Sequence, residues 1–204
     1  MKMLKEIGLI GLGVMGKNIA LNLSDNGVVI KGFNNSKDKL EDIKKEFSGT
    51  FEGYTDINNL INSLEKPRTI LLMVPSGKAT KEVIEKIRDS LDEDDLVIDG
   101  GNSFYLDSEE SGLALEQKKI KFIGMGVSGG EEGARKGPAI MVGYKNKISE
   151  DLKNTLSAIS AKTDQDCIGF YEGHGSGHFV KMVHNGIEYA EMQLIAEIYE
   201  ILRR

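Results

Sequence analysis

Ile7-Gly8-Leu9-Ile10-Gly11-Leu12-Gly13-Val14-Met15-Gly16 is the stretch on which the fold turns. A short apolar run, Ile7 to Ile10, meets a Gly-x-Gly-x-x-Gly turn, after which Met15, Ile19 and Leu23 recur at helical spacing. Strand, glycine turn and helix is the context that a dinucleotide fingerprint requires. The first glycine makes a tight turn, the second lets backbone approach a pyrophosphate, and the third packs helix on strand. The competing reading, a glycine turn that serves structure alone, lacks this agreement of strand, helix and spacing.

Outward from that turn, short apolar runs alternate with amphipathic stretches. Val28–Phe33, Thr69–Val74, Leu96–Ile98, Phe122–Met125 and Ala139–Val142 read as strands. Helices are predicted from Ile57, Leu60, Ile61 and Leu64, from Val83, Ile84, Ile87 and Leu91, over Ser108–Lys118, and from Ile148, Leu152, Leu156 and Ile159. Strands that are apolar on consecutive positions and separated by helices mark a sheet covered on both faces. The expected fold is α/β, a Rossmann-type doubly wound and mainly parallel sheet over residues 1–175. Residues 176–204 read differently. Val183, Ile187, Ala190, Leu194, Ile198 and Ile201 form one helical stripe and Met192, Ile195, Tyr199 and Leu202 a second. A helix apolar on most sides expects burial between other helices, so this segment reads as the first long helix of an all-α domain that is otherwise absent from the sequence.

Composition narrows the function. The 24 glycines in 204 residues exceed the usual ~7%, while three prolines argue against a disordered linker. A net charge of -6 argues against a general nucleic-acid binder, which needs a basic footprint. It leaves room for an anionic small molecule met by a local cluster of donors. The single cysteine, Cys167, forms no internal disulfide, and no metal cluster is expected. Met1–Glu6 lacks the apolar core of a signal peptide and no run approaches a membrane-spanning length, so a soluble, cytoplasmic protein is expected. Asp92-Glu93-Asp94-Asp95 reads as a solvated turn.

Three further places carry chemistry. After the second strand stands Asn34-Asn35-Ser36-Lys37, with neither the carboxylate that binds a ribose 2′-hydroxyl nor the arginine that holds a 2′-phosphate. The missing carboxylate favours NADP, and NAD stays open. Asp99-Gly100-Gly101-Asn102-Ser103 and Val127-Ser128-Gly129-Gly130-Glu131-Glu132-Gly133 each follow an apolar strand, where ligands bind in open α/β sheets. Successive small residues in the second expose backbone N–H groups to a carboxylate or phosphate. On the last helix, Lys181, His184, Asn185 and Glu188 share one arc of about 100°. Lys181 and Glu188 stand roughly 10 Å apart along the axis, suited to two atoms of an extended substrate rather than to each other. His174 and His178, among Gly173, Gly175 and Gly177, read as loop or hinge residues outside that stripe.

With these residues in view, the chain resembles the decarboxylating 6-phosphogluconate dehydrogenases over its whole length. The resemblance rests on Gly-Leu-Gly-Val-Met-Gly at 11–16, Leu-Leu-Met-Val at 71–74 and Asp-Gly-Gly-Asn-Ser at 99–103. It continues in Gly-Val-Ser-Gly-Gly-Glu-Glu-Gly-Ala-Arg-Lys-Gly-Pro at 126–138 and His-Phe-Val-Lys-Met-Val-His-Asn-Gly-Ile-Glu-Tyr at 178–189. It implies oxidation of 6-phosphogluconate by NADP at C3, loss of CO₂, and Lys181 and Glu188 as base and acid. Implied for cofactor binding are Gly11, Leu12, Gly13, Val14, Met15, Gly16, Asn34, Asn35, Ser36, Val74, Pro75, Ser76 and Asn102. Asn102, Ser128, Gly129, Gly130, His184, Asn185 and Tyr189 would hold the phosphosugar acid. No metal, nucleic acid or membrane is implied, and a homodimer through the helical part is. Asn35 stands where the family carries an arginine for the 2′-phosphate, and Pro75 where a lysine is common. Two other readings remain: another β-hydroxyacid dehydrogenase, of the 3-hydroxyisobutyrate type, and a non-catalytic NADP-binding fragment.

Overall fold

A computed structural model describes residues 2–145 and 147–204. Among these, eight strands form one sheet: β1 (Glu6–Ile10), β2 (Val29–Phe33), β3 (Phe51–Tyr54), β4 (Thr69–Leu72), β5 (Leu96–Asp99), β6 (Lys121–Ser128), β7 (Ala139–Tyr144) and β8 (Ile168–Glu172). Their order is β3-β2-β1-β4-β5-β6-β7-β8. Every pairing is parallel except β6 with β7. The helices between them are α1 (Val14–Asp25), α2 (Lys37–Lys44), α3 (Ile57–Ser63), α4 (Lys78–Ile87), α5 (Tyr105–Glu116), α6 (Gly130–Lys136) and α7 (Glu150–Ile159), followed by the long α8 (Ser176–Arg203).

Alternation along each strand sends neighbouring side chains to opposite faces, and here both faces are apolar. Leu9, Leu71, Ile98 and Ile123 join Ile19, Leu23, Leu152 and Leu156 of α1 and α7 in one core. Ile10, Ile70, Leu72, Val97 and Phe122 join Leu60, Ile84, Ile87 and Leu115 of α3, α4 and α5 in the other. Burying each such side chain is worth about 1.5–3 kcal/mol, which is why the doubly covered sheet is the stable outcome of this pattern.

Several expectations need correction. β3 and β8 were not legible as strands, and α2 and α6 not as helices. Val127 and Ser128 belong to β6 rather than to a loop, and Gly130 opens α6. α5 starts at Tyr105, ahead of the expected Ser108, with Asp107 in its first turn, where a carboxylate suits the helix dipole. The acidic run at 92–95 is only partly solvated. Asp95 is fully buried, its Oδ1 accepting from Arg68 N at 2.6 Å while Arg68 Nη1 lies 2.8 Å from Oδ2. Most of the α8 stripe is exposed among the described residues, including Ile187, Leu194, Ile198 and Ile201.

The start of α8 is different. It lies against β6 and β7 on the α5 face, so close that a Cβ on Gly177 would overlap the carbonyl oxygens of Gly124 and Met141. A Cβ on Gly126 would come within 2.6 Å of Lys181 Cβ. Only backbone without side chains admits a helix at that depth, and this approach brings Lys181 to the end of β6.

Candidate functional site

The carboxyl ends of β1, β4, β5 and β6 lie side by side, and the polar loops named above leave from them. Gly11 closes β1 at φ 104° with its Cα packed beneath the loop after β4, where an added Cβ would be 2.5 Å from the Met73 carbonyl oxygen. A Cβ on Gly16 would overlap the Gly11 carbonyl oxygen. Gly16→Ala is therefore expected to cost about 1–3 kcal/mol through overpacking against backbone, read as a lowered Tm of the whole domain. At Gly13 an added Cβ meets nothing within 4 Å. The space over the α1 N-terminus is thus open, its first turn holds no acidic residue, and the helix end presents N–H groups there. These residues fit a dinucleotide pyrophosphate.

Val74, Pro75 and Ser76 follow β4 beside this turn, with Pro75 and Ser76 exposed. At the end of β2, Asn34 Oδ1 accepts from Ser36 N at 2.9 Å, and Ser36 Oγ accepts from Lys39 N at 3.4 Å. Both groups shape the entry to α2, and the Asn35 side chain beside them is exposed. Asn102 is exposed in the loop after β5, whose turn is held by Gly101 N donating to Asp99 Oδ1 at 3.0 Å. Gly129 and Gly130 have φ of 131° and 61°, a left-handed pair that points backbone outward between β6 and α6.

On α8 the expected arc closes into one hydrogen-bonded group. Lys181 Nζ donates to Asn185 Oδ1 at 2.6 Å and to Ser128 Oγ at 3.1 Å. His184 Nε2 lies 3.4 Å from Ser128 Oγ and its Nδ1 3.3 Å from Asn185 Oδ1. Glu188 Oε2 is 3.6 Å from His184 Nδ1. Burial lowers the Lys181 pKa from its usual value, opposed by attraction from Glu188. A neutral lysine amine has two N–H groups and one lone pair. Asn185 and Ser128 thus accept two hydrogens of the amine, as many as its neutral form can give. Tyr189, by contrast, is 65% exposed and has no side-chain partner among the described residues. The structure thus gathers Lys181, Asn185, Ser128, His184 and Glu188, and leaves Tyr189 outside the group.

His178 is not a loop residue: it lies inside α8, buried beside Gly124. His174 does lie in the turn between β8 and α8, but it is fully buried, with Nδ1 3.3 Å from the Phe122 carbonyl oxygen. Along β6, Phe122, Gly124, Gly126 and Ser128 share one face, and they meet His174, His178, Lys181 and His184 in turn. The sequence did carry a signal: His178 precedes Lys181 by three residues and so falls on the same side of the helix.

Among the described residues, no group of three or more His, Cys, Asp or Glu is placed to hold a metal ion, and no helix is long and apolar enough to cross a membrane. A cleft of about 720 Å³ lies at the opposite, amino ends of the strands, between Lys2–Glu6, Leu64–Thr69 and Lys147–Leu152. The fingerprint turn and the α8 group are at the other end, on an open shelf.

A family model described as the NAD binding domain of 6-phosphogluconate dehydrogenase matches residues 6–170, and one described as the C-terminal domain of 6-phosphogluconate dehydrogenase matches residues 177–204. The NADP(+)-dependent, decarboxylating 6-phosphogluconate dehydrogenase of Bacillus subtilis is 48% identical over 202 residues, covering 98% of this chain and 43% of that protein. A Plasmodium falciparum 6-phosphogluconate dehydrogenase, solved in its apo form, with NADP+ and with 6-phosphogluconate, superposes with a TM-score of 0.87 at 41% identity, covering 95% of this chain and 42% of the other. A 3-hydroxyisobutyrate dehydrogenase from Mycobacterium tuberculosis, 22% identical at a TM-score of 0.80 over 96% of this chain and 64% of its own, shares the fold. The chain spans less than half the length of the curated relatives it matches. With the fingerprint, the sheet order and these matches together, the chain belongs to the 6-phosphogluconate dehydrogenase family.

Proposed function

We propose that this chain is the coenzyme-binding part, residues 1–175, and the opening helix, residues 176–204, of an NADP-dependent 6-phosphogluconate dehydrogenase. The reaction is oxidative decarboxylation of 6-phospho-D-gluconate to D-ribulose 5-phosphate and CO₂, a step of the pentose phosphate pathway. The observation that carries the reading is the partly buried Lys181 amine, its pKa lowered by burial and its hydrogens accepted by Asn185 and Ser128. Lys181 takes the proton of the C3 hydroxyl. Bound nicotinamide supplies the hydride acceptor. The resulting 3-keto acid loses CO₂ readily once its carbonyl is polarised, and protonated Lys181 donates to that oxygen. Glu188, one helical turn beyond His184, delivers the proton to the enediol.

Asn102, Ser128 and the Gly129–Gly130 backbone bind the sugar acid, with His184, Asn185 and Tyr189 along α8. Leu12, Val14 and Met15, with the three fingerprint glycines, hold the pyrophosphate side of NADP, while Val74, Pro75 and Ser76 border its nicotinamide half. The multiply charged substrate does not cross membranes unaided, which supports a cytoplasmic setting. The wide exposed face of α8 supports a homodimer through the helical part. Comparing turnover of 6-phosphogluconate with that of 3-hydroxyisobutyrate tests the reading, and turnover of the latter alone overturns it.

Cofactor discrimination is expected to be modest, because Asn34 and Ser36 are engaged in the turn and Asn35 is uncharged. Asn35→Arg is expected to tighten NADP binding by roughly 1–3 kcal/mol through charge-assisted hydrogen bonds to the 2′-phosphate. Calorimetry showing an unchanged NADP affinity would place the 2′-phosphate elsewhere.

A further inference from the structure

The track beneath the start of α8 poses a mechanical problem. Gly124 and Gly126 let the helix approach closely, but glycines offer no side chains for it to interlock with. Ridges set into grooves normally fix a helix along its axis. A bare backbone track fixes depth, and the bond from Gly124 N to the His174 carbonyl oxygen at 3.0 Å pins only the turn ahead of the helix, so sliding and rotation of α8 itself are left to other contacts.

The polar contacts of α5 settle them. His178 Nδ1 lies 2.7 Å from Ser108 Oγ, both residues being almost completely buried. Ser108 Oγ in turn donates to the Phe104 carbonyl oxygen at 3.4 Å. Both bonds are satisfied when Nδ1–H donates to the hydroxyl. One turn earlier, Gly175 N donates to Glu109 Oε2 at 3.0 Å, and one residue later the Phe179 ring meets Tyr105 edge-on at 5.2 Å. Tyr105, Ser108 and Glu109 lie on one face of α5, and α5 grows directly out of the loop that carries Asn102. A buried hydrogen bond is directional where apolar packing is not.

Resting on the reading of Lys181 as the base, we propose that His178 is a positioning residue, which through Ser108 fixes the register of α8 on β6 and so the placement of the Lys181 amine beside Ser128 and the Asn102 loop. Burial also lowers the pKa of the His178 ring, against the pull of Asp99, which keeps it neutral and able to hold this bond.

The test reads the titration of Lys181 directly, from the pH dependence of its labelling by acetic anhydride, quantified by mass spectrometry of the peptide. His178→Leu and Ser108→Ala are expected to move the Lys181 pKa up, toward the ordinary lysine value of ~10.4, as the amine slips from its buried seat. His178→Asn, whose amide nitrogen reaches about where Nδ1 stands, is expected to keep the wild-type titration. A folded His178→Leu protein with an unshifted Lys181 overturns the proposal, since loss of packing alone lowers Tm without moving that titration. If His178→Leu does not fold, Ser108→Ala decides, and an unshifted Lys181 there overturns it equally. The measurement needs neither cofactor nor turnover, so turnover of 3-hydroxyisobutyrate alone by a polypeptide that carries the rest of the helical domain would sink the functional reading and leave this one to its own result.

Discussion

Lys181→Met is expected to reduce NADPH formation from 6-phosphogluconate by about 10²–10⁴-fold, the range for loss of a positioned general base. The fair measurement uses a polypeptide that also carries the rest of the helical domain found in the relatives. Met keeps much of the length and apolar bulk of the lysine stem, so its packing over Gly126 survives while the amine held by Asn185 and Ser128 is lost. The sign of the pH dependence follows from the same geometry. The base acts when neutral, so oxidation rises with pH through the Lys181 pKa, and burial brings that rise to lower pH than an exposed lysine would show. Glu188→Gln is expected to behave differently. NADPH should still form, while release of ribulose 5-phosphate slows because protonation of the enediol is impaired. Near-normal NADPH production by Lys181→Met would remove the lysine from the mechanism.

A polypeptide of these 204 residues is expected to self-associate through α8, most simply as a symmetric dimer. Beyond its seat on β6 the helix exposes Ile187, Leu194, Ile195, Ile198, Ile201 and Leu202, each more than half accessible. Burying a side chain of this size is worth about 1.5–3 kcal/mol, and soluble monomers rarely leave such a continuous patch uncovered. Light scattering at tens of micromolar should give twice the chain mass. Leu194→Glu with Ile198→Glu, in the middle of the stripe, should return it to the monomer without disturbing the sheet. Cofactor binding should survive in both forms, because the glycine turn and its strands are complete, whereas turnover of 6-phosphogluconate should be very weak. A monomer with α8 fully helical to its end would overturn this expectation, as would robust decarboxylation by the 204 residues alone.

Local sequence determined a great deal here, wherever one element carries its own signal. Ile7–Gly16 specified strand, turn and helix because the backbone demands of that turn admit only glycine at 11 and 16. The consecutive apolar positions of β1, β4 and β5 specified a sheet covered on both faces, since each face must be buried. The 181–188 arc followed from helical periodicity alone. β3 and β8 were missed because their residues are few and partly exposed, and Gly53 and Gly169 interrupt the apolar pattern. Asp95 was misjudged because its partner, Arg68, is distant in sequence and meets it only when β4 and β5 pair. His174 and His178 were set aside for the same kind of reason. The burial of His178 depends on Gly124 and Ser108 and that of His174 on Gly112 and Phe122, which no pattern within residues 173–178 reveals. Sequence thus determined which residues could carry the chemistry. Only the packing of α8 on the bare backbone of β6 decided that the Lys181 amine would be partly desolvated and held by Ser128 at the end of β6, the setting that the proposed role of base requires.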